Sequence, residues 1–181
     1  MHRLYLAAAA AAAVALSTAA TAEARPRPAG GTIGSPFSSN KTFGLGLELG
    51  NIEGVIGKLW LNDSNALDFG LGYIYEFGPS GLHLYADYLW HPFSLTSQPA
   101  FELPFYIGVG GRFWAWDNYN NNNGVNAFGV RVPIGISFDL NNIPIDIFVQ
   151  AVPTLDFFRN YTRHSVYLDI DVSFGARFYF N

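Results

Sequence analysis

From Thr42 onward, apolar residues alternate with polar or small residues at a period of two. Strict alternation places successive side chains on opposite faces of an extended strand. No segment in this region shows the 3.6-residue period of a helix. The pattern predicts eight antiparallel strands, with clear runs at 43–49, 67–77, 82–90, 105–116, 128–139, 145–151 and 166–180 and a less regular run at 55–61. Turn-forming residues predict seven connections, at 51, 62–65, 78–81, 91–100, 117–124, 141–142 and 157–163.

The two faces of these strands differ in an unusual way. One face is bulky and apolar over six to eight positions, and the other mixes glycine with acidic and basic residues. Transmembrane barrels have this inverted arrangement, with apolar side chains toward lipid and a polar interior. Because backbone groups in lipid must all be paired, such a sheet closes on itself. We therefore expect an all-β, closed, antiparallel, up-and-down transmembrane β-barrel of about eight strands over residues 42–181. A soluble barrel around an apolar ligand is the alternative, and it requires the polar face outside.

The start of the chain predicts export. A short basic start at residues 1–3 precedes an apolar stretch at 4–16, and Ala-x-Ala patterns follow at 20–22 and 22–24. This order is typical of a secretory signal peptide, and the apolar stretch is shorter than the roughly 20 residues that span a bilayer as a helix. We expect a signal peptide at 1–24, cleaved after Ala22 or Ala24, and a flexible segment rich in Pro, Gly and Ser at 25–41.

Composition excludes several classes of function. The net charge is −4 and charged residues make up 13% of the chain, against about 25% in ordinary soluble domains. No basic segment suits nucleic acid, so we expect no nucleic-acid partner. The chain has no cysteine, so disulfides cannot stabilise the exported protein.

The end of the chain carries a resemblance. Residues 169–180 have alternating aromatics and a near-terminal Phe180, and they resemble the C-terminal signal strand of outer-membrane barrels, although Asn181 follows. The whole pattern resembles small outer-membrane barrels of the OmpA transmembrane-domain type. Segments 44–73, 104–113 and 144–155 look closer still to a family of small barrels of unknown function in spirochaetes and other bacteria. The resemblance implies a bacterial outer-membrane location, contact with outer-membrane lipid and recognition of the last strand by the barrel-assembly machinery. It implies no activity.

Most of the charged residues of the predicted barrel fall at the strand positions that point inward. An eight-stranded barrel is just wide enough for side chains to fill it, and buried charges must pair. We expect a salt-bridged, largely plugged interior with a structural or surface-interaction role. A narrow pore that favours cations, or a conduit for small apolar molecules, stays open as an alternative. The predicted charge network comprises Glu48, Lys58, Asp68, Glu76, His83, Asp87, Arg112, Arg131, Asp139, Asp146, Asp169, Asp171 and Arg177, with Gln150 on the same face.

A lipid-modifying enzyme is a third possibility. His164 and Ser165 are adjacent, so a strand directs them to opposite faces and they cannot readily form a nucleophile–base pair. His83 and Asp87 share a face, but no nucleophile accompanies them. We therefore expect no enzyme, no cofactor and no metal.

An even number of strands with both termini in the periplasm places the connections near 50–54, 78–81, 117–124 and 157–165 outside. The longest connection, 91–100, then falls on the periplasmic side, which argues against a large receptor surface. We expect a monomer and leave host or surface ligands open. Trp114 and Trp116 fall on the inward parity, which indicates either a bulge near residues 110–111 or a cap on the interior.

Overall fold

The computed structural model describes residues 33–74, 81–116, 125–159 and 164–180. In these ranges no helix is long and apolar enough to cross a membrane. The described chain forms antiparallel strands: β1 (Phe43–Gly50), β2 (Ile52–Trp60), β3 (Asn65–Ile74), β4 (Gly81–Ser97), β5 (Phe101–Trp116), β6 (Val125–Arg131), β7 (Ile134–Leu140), β8 (Ile145–Arg159) and β9 (His164–Phe180).

These strands form one sheet whose pairings close into a ring. Consecutive strands pair from β1 to β5, and β9 pairs with both β8 and β1. The all-β, antiparallel, up-and-down prediction is confirmed.

The prediction of a single strand at 128–139 is wrong, because β6 and β7 are separate segments. Both pair with β5 on one side and with β8 on the other, so they share one position in a ring of eight positions. The break falls at Val132–Pro133, where proline has no N–H to donate to the ladder. Backbone hydrogen bonds still connect the break to both neighbouring strands. Gly108 N on β5 donates to Pro133 O (2.8 Å), and Val132 N donates to Pro153 O on β8 (2.9 Å).

The strands are staggered around the ring. Following register partners around the ring from Gly44 on β1 leads to Asp169 on β9. In the β1–β9 register, where Gly50 pairs with Ser173, Asp169 would lie beside position 54. One circuit of the ring is therefore displaced by ten residues, from position 44 to position 54. A ring of eight strands with this stagger has strands tilted by roughly 35–45° to its axis. The register partners that lead from Gly44 around the ring are Lys58, Asp68, Asp87, Gly110, Arg131, Thr154 and Asp169.

The predicted connection at 91–100 is also wrong. β4 continues to Ser97 and β5 starts at Phe101, so the connection is only 98–100. The β4–β5 register shifts between Trp90 and Phe93 and again between Ser94 and Ser97. Each bulge adds an unpaired residue, which interrupts the alternation of side chains while the strand goes on.

Large apolar side chains cover the outside of the ring. Leu84, Val149 and Phe174 are 49%, 46% and 54% exposed and lie on three different strands. On the opposite parity, side chains are buried, and several contact strands that are not their neighbours: Arg177 on β9 reaches Asp68 on β3, and Tyr85 on β4 reaches Glu48 on β1. Such contacts cross the interior, so the buried polar face of each strand points into the ring.

Glycines make room for the large inward side chains. Tyr106 lies opposite Gly135, and a Cβ on that glycine would stand 2.5 Å from the tyrosine Cζ. A ring of eight strands is narrow, so a large residue needs a glycine beside it on the next strand. The same arrangement pairs Tyr85 with Gly70, Phe148 with Gly175 and Tyr179 with Gly44.

Residues 33–42 lie across the end of the ring that contains the β2–β3 and β4–β5 connections. Ser35 pairs with Ser94, and Phe37 is buried with its ring 5.4 Å from that of Trp60. Lys41 is also buried and donates to Ile145 O at 3.1 Å. The sequence did not predict these contacts for the end of the segment at 25–41; residues 1–32 lie outside the described ranges.

Candidate functional site: the charged interior

Near this same end of the ring, Arg177 bridges two carboxylates. Its Nη1 donates to Asp68 Oδ1 at 2.9 Å and its Nε donates to Asp146 Oδ1 at 3.0 Å. Tyr179 OH donates to the other oxygen of Asp146 at 2.7 Å. All four side chains are buried. By donating to two carboxylates, this one guanidinium ties β9 to its neighbour β8 and, across the interior, to β3.

A second contact at this level joins the side chains of Lys58 and His91. Lys58 Nζ lies 2.9 Å from His91 Nε2, and His91 Nδ1 lies 3.2 Å from Ser64 O. Lys41 and Asp139 form a further ion pair beside them. These groups lie behind the buried ring of Phe37, which is 5.5 Å from that of His91.

The middle of the interior is organised around Glu48. Tyr85 OH donates to its Oε2 at 2.6 Å, while Gln150 Nε2 donates to its Oε1 at 3.0 Å. Ser173 Oγ also donates to Oε1. Tyr106 OH extends the chain by donating to Gln150 Oε1 at 3.1 Å. Among the described residues no cation pairs with this carboxylate, and neutral donors satisfy its lone pairs.

Toward the opposite end, Arg112 binds two more carboxylates. Its Nε donates to Asp156 Oδ1 at 2.8 Å, and its Nη2 donates to Thr154 Oγ1 at 2.8 Å. Asp156 also accepts from Nη2, and Asp171 accepts from Nη1. This cluster crosses the interior from β5 to β8 and β9.

Arg131 and Asp87 form the remaining ion pair that the structure describes here, with Nε and Oδ2 3.0 Å apart. His83 is fully buried nearby, and neither of its ring nitrogens has a hydrogen-bond partner within the described ranges. His83 and Asp87 therefore do not form a hydrogen-bonded dyad, because Asp87 is paired with Arg131. The side chains of His164 and Ser165 lie outside the described ones.

Each buried lysine and arginine in the described interior also stacks on an aromatic ring. Such contacts attract the cation to the ring quadrupole and cover its apolar surface. The distances to the ring centroids are 4.7 Å for Lys41 on Tyr179, 4.5 Å for Lys58 on Trp60, 4.2 Å for Arg112 on Trp114, 3.8 Å for Arg131 on Tyr85 and 4.2 Å for Arg177 on Phe148.

Most of the residues in the predicted charge network lie inside the ring. Asp169 does not join the pairs: it is partly exposed, and its carboxylate accepts from Ile170 N at 2.8 Å. The reason is that β1 has already ended at this height, so the ring does not enclose it. Glu76 lies outside the described residues. The side chains of Glu48, Lys58, Asp68, His83, Asp87, Arg112, Arg131, Asp139, Asp146, Gln150, Asp171 and Arg177 are buried. That this set performs a function stays a prediction.

Sequence reasoning missed several members of the interior. His91 has the same parity along β4 as His83 and Asp87, so continuing the alternation by one step identifies it. Asp156 was missed because the alternation was followed only to Ala151, although β8 continues to Arg159. Lys41 precedes the first strand and carries no periodic signal.

Of the two explanations for Trp114, the structure favours a cap. The β4–β5 register is regular from Gly81 to Trp90, with no bulge near residues 110–111. The Trp114 ring lies edge-on to His83 at 5.4 Å. The side chain of Trp116 lies outside the described ones. Within the described ranges, no group of three or more His, Cys, Asp or Glu residues could hold a metal ion.

Comparisons with known proteins support the fold. No family model matches the chain, and no curated protein matches it. Among solved structures, the N-terminal β-barrel domain of Pseudomonas aeruginosa OprF is similar, with a TM-score of 0.50 and 15% sequence identity. The match covers 76% of this chain and 95% of that domain. At this identity the likeness shows a barrel-like fold that resembles an outer-membrane domain, and the resemblance to the spirochaetal family stays a prediction.

Proposed function

We propose that the chain is a bacterial outer-membrane β-barrel with a charge-filled, plugged interior and a structural or surface-interaction role. One observation carries the proposal: polarity is inverted, with apolar side chains outside a closed ring and ion pairs inside it. A water-soluble protein places these groups the other way round, because burial of apolar surface drives its folding.

The outer surface supports immersion in lipid. Among the outward-facing strand residues whose side chains the structure describes, the charged one is Glu53. It lies next to the β1–β2 turn. Large apolar side chains on the other strands are about half exposed. Soluble monomers rarely expose a continuous apolar patch larger than a few hundred Å². A bilayer covers such a surface, and the closed ring leaves few backbone groups unpaired in the hydrocarbon.

The interior supports a plug. Arg177, Arg112 and Arg131 each bind a carboxylate and stack on a ring, so their side chains occupy the interior at successive levels. Removing any of these side chains from its partner would leave a buried charge unpaired. The pairs therefore oppose the rearrangement that opening a continuous water path would require.

Two further parts of the proposal concern export and assembly. Residues 1–24 have the order of a cleaved signal peptide, and β9 ends at Phe180 with the aromatic alternation typical of outer-membrane assembly signals. We infer contact with outer-membrane lipid, recognition of β9 by the barrel-assembly machinery, and a monomeric barrel in the membrane.

Electrophoresis of the refolded protein with and without boiling tests the fold and its surroundings. We expect the folded form to require detergent or lipid and to migrate differently from the boiled form. Identical migration, together with solubility in plain buffer, would contradict the membrane barrel.

A narrow pore that favours cations is the second candidate, and the charge count supports it. Among the described buried residues, eight carboxylates outnumber five lysines and arginines. Planar-bilayer recording separates the two functions. We expect no reproducible steps from the plugged ring, whereas regular steps with a cation-selective reversal potential would support the pore. The eight are Glu48, Asp68, Asp87, Glu102, Asp139, Asp146, Asp156 and Asp171, and the five are Lys41, Lys58, Arg112, Arg131 and Arg177.

A further inference from the structure

The ring wall is uneven at the end opposite residues 33–42. β1 stops at Gly50, which adopts a φ of 137° before the turn at Asn51, and its last partner on β9 is Ser173. β9 continues for nine more residues, from Val172 back to His164, and pairs there only with β8 among the described strands. Among the described residues, this part of β9, which we call its upper part, is therefore an open sheet edge.

The backbone of this edge presents hydrogen-bonding groups. At the end of the edge nearest β1, Asn51 bonds to Val172. Asn51 Oδ1 accepts from Val172 N at 3.0 Å, and Asn51 N donates to Val172 O at 3.2 Å. In an antiparallel strand every second residue directs its N–H and C=O to the same side. Ile170, Leu168 and Val166 thus point theirs away from β8. The carboxylate of Asp169 covers Ile170 N, and the other groups of these three residues have no partner among the described residues.

The side chains beside this edge are unusually exposed. Val166, Leu168 and Ile170 are 62%, 71% and 60% exposed on the outer face, and Tyr167 is 59% exposed on the inner one. An edge with unpaired N–H and C=O groups beside apolar side chains is a template for pairing with another strand.

We propose that the upper edge of β9, Val166–Ile170, docks an extended segment of a partner protein as an added β-strand. This deepens the surface-interaction role proposed above and rests on it for placing the edge outside the bilayer. The partner segment alternates apolar residues, which continue the outer face, with polar residues on the inner face.

The inner face of the edge favours a basic residue in the partner. Asp169 is partly exposed, and Tyr167, two residues away on the same face of β9, is 59% exposed. A lysine or arginine on the added strand can pair with the carboxylate and approach the tyrosine face. The net charge of −4 also favours a basic partner.

A second copy of this chain does not fit the edge. Two barrels with the same orientation in one bilayer are related by rotation about the membrane normal. Strands tilted by roughly 35–45° then cross at about 70–90° and cannot lie side by side. The occupant is therefore a strand from a different protein.

A synthetic nine-residue peptide in which valine alternates with threonine and lysine tests the proposal. Its fluorescence anisotropy is measured against the full mature protein refolded in detergent. We expect saturable binding, and at least tenfold weaker binding for the same peptide with N-methylated backbone amides. No saturable binding, or equal binding of the methylated peptide, would overturn the proposal.

Substitutions at the edge locate the site. Leu168→Pro removes an N–H that faces the open side without removing a β8–β9 bond, so we expect at least tenfold weaker peptide binding. Leu168→Val keeps the N–H and an apolar side chain and should bind within threefold of wild type. Asp169→Asn should weaken binding of the lysine peptide and leave a lysine-free, glutamine-containing peptide unchanged.

Heat-modifiable migration of each variant shows whether the barrel still forms, so failure of the membrane fold is distinguished from failure of docking. Should Leu168→Pro not fold, the methylated peptide still decides the question on the wild-type protein. Peptide binding that Leu168→Pro leaves unchanged, or a wild-type dimer that this substitution disrupts, would contradict the assignment of the edge to a partner strand.

Discussion

Arg177→Met tests whether the interior ion pairs hold the ring together. Arg177 is 1% exposed and binds Asp68 and Asp146, which are each 2% exposed. Methionine keeps the apolar stem and a contact with the Phe148 ring but removes the positive charge. Two buried carboxylates then lose their cation, while Asp146 retains the hydrogen bond from Tyr179.

The expected loss follows from the cost of an uncompensated buried charge. Removing one partner of a buried pair typically lowers the free energy of unfolding by about 3–5 kcal/mol. With an m-value of about 2 kcal/mol per molar urea, this shifts the unfolding midpoint down by roughly 1.5–2.5 M. The four tryptophans of the chain report the transition by fluorescence in detergent micelles.

A compensated variant is the matched control. Asp68→Asn and Asp146→Asn, combined with Arg177→Met, remove the negative charges together with the positive one. The loss in the single variant comes from buried charges left without a partner, and the triple variant leaves none, so it should regain most of the loss. The reasoning is refuted if Arg177→Met unfolds within 0.5 M urea of wild type, or if the triple variant is no more stable than the single one.

Three further predictions concern packing and the outer surface. Gly135→Ala should lower stability by about 1–3 kcal/mol, because its Cβ meets Tyr106, whereas Gly111→Ala, with nothing nearer than 3.6 Å, should be neutral in the same urea titration. Leu84→Arg should cost about 2–4 kcal/mol in vesicles if the residue lies near the bilayer midplane; a change within about 0.5 kcal/mol would instead indicate a surface in water. Phe37→Ala should cost up to about 3–5 kcal/mol because the ring is buried, while Ile33→Ala, at a position 83% exposed, should leave the midpoint unchanged; equal midpoints would show that residues 33–42 do not pack on the ring.

Periodicity predicted most of the strands because each has one face in a uniform environment. The alternation in β3, β8 and β9 follows directly from that burial. It failed where the backbone departs from regular pairing. The bulges after Trp90 interrupt the alternation over the last seven residues of β4, and Pro133 divides a run whose side chains alternate without interruption.

The membership of the interior was only partly predictable. Parity identifies which residues point inward, but not which of them meet across the ring. The bond from Arg177 to Asp68 depends on the stagger of the strands, which the sequence does not reveal. Asp169 has inward parity and still lies outside the network, because the height of the wall at that point depends on where β1 ends.

Spin-label accessibility tests most directly whether the apolar outer surface of the ring faces lipid. The chain has no cysteine, so single cysteines at Leu84, Val149, Phe174 and the exposed Asn142 each place one nitroxide on the protein in vesicles. The first three labels should collide with dissolved oxygen and be protected from a water-soluble nickel chelate. The label at Asn142, in the β7–β8 connection, should be open to the chelate. Free access of the chelate to the labels at Leu84, Val149 and Phe174 would contradict the membrane barrel.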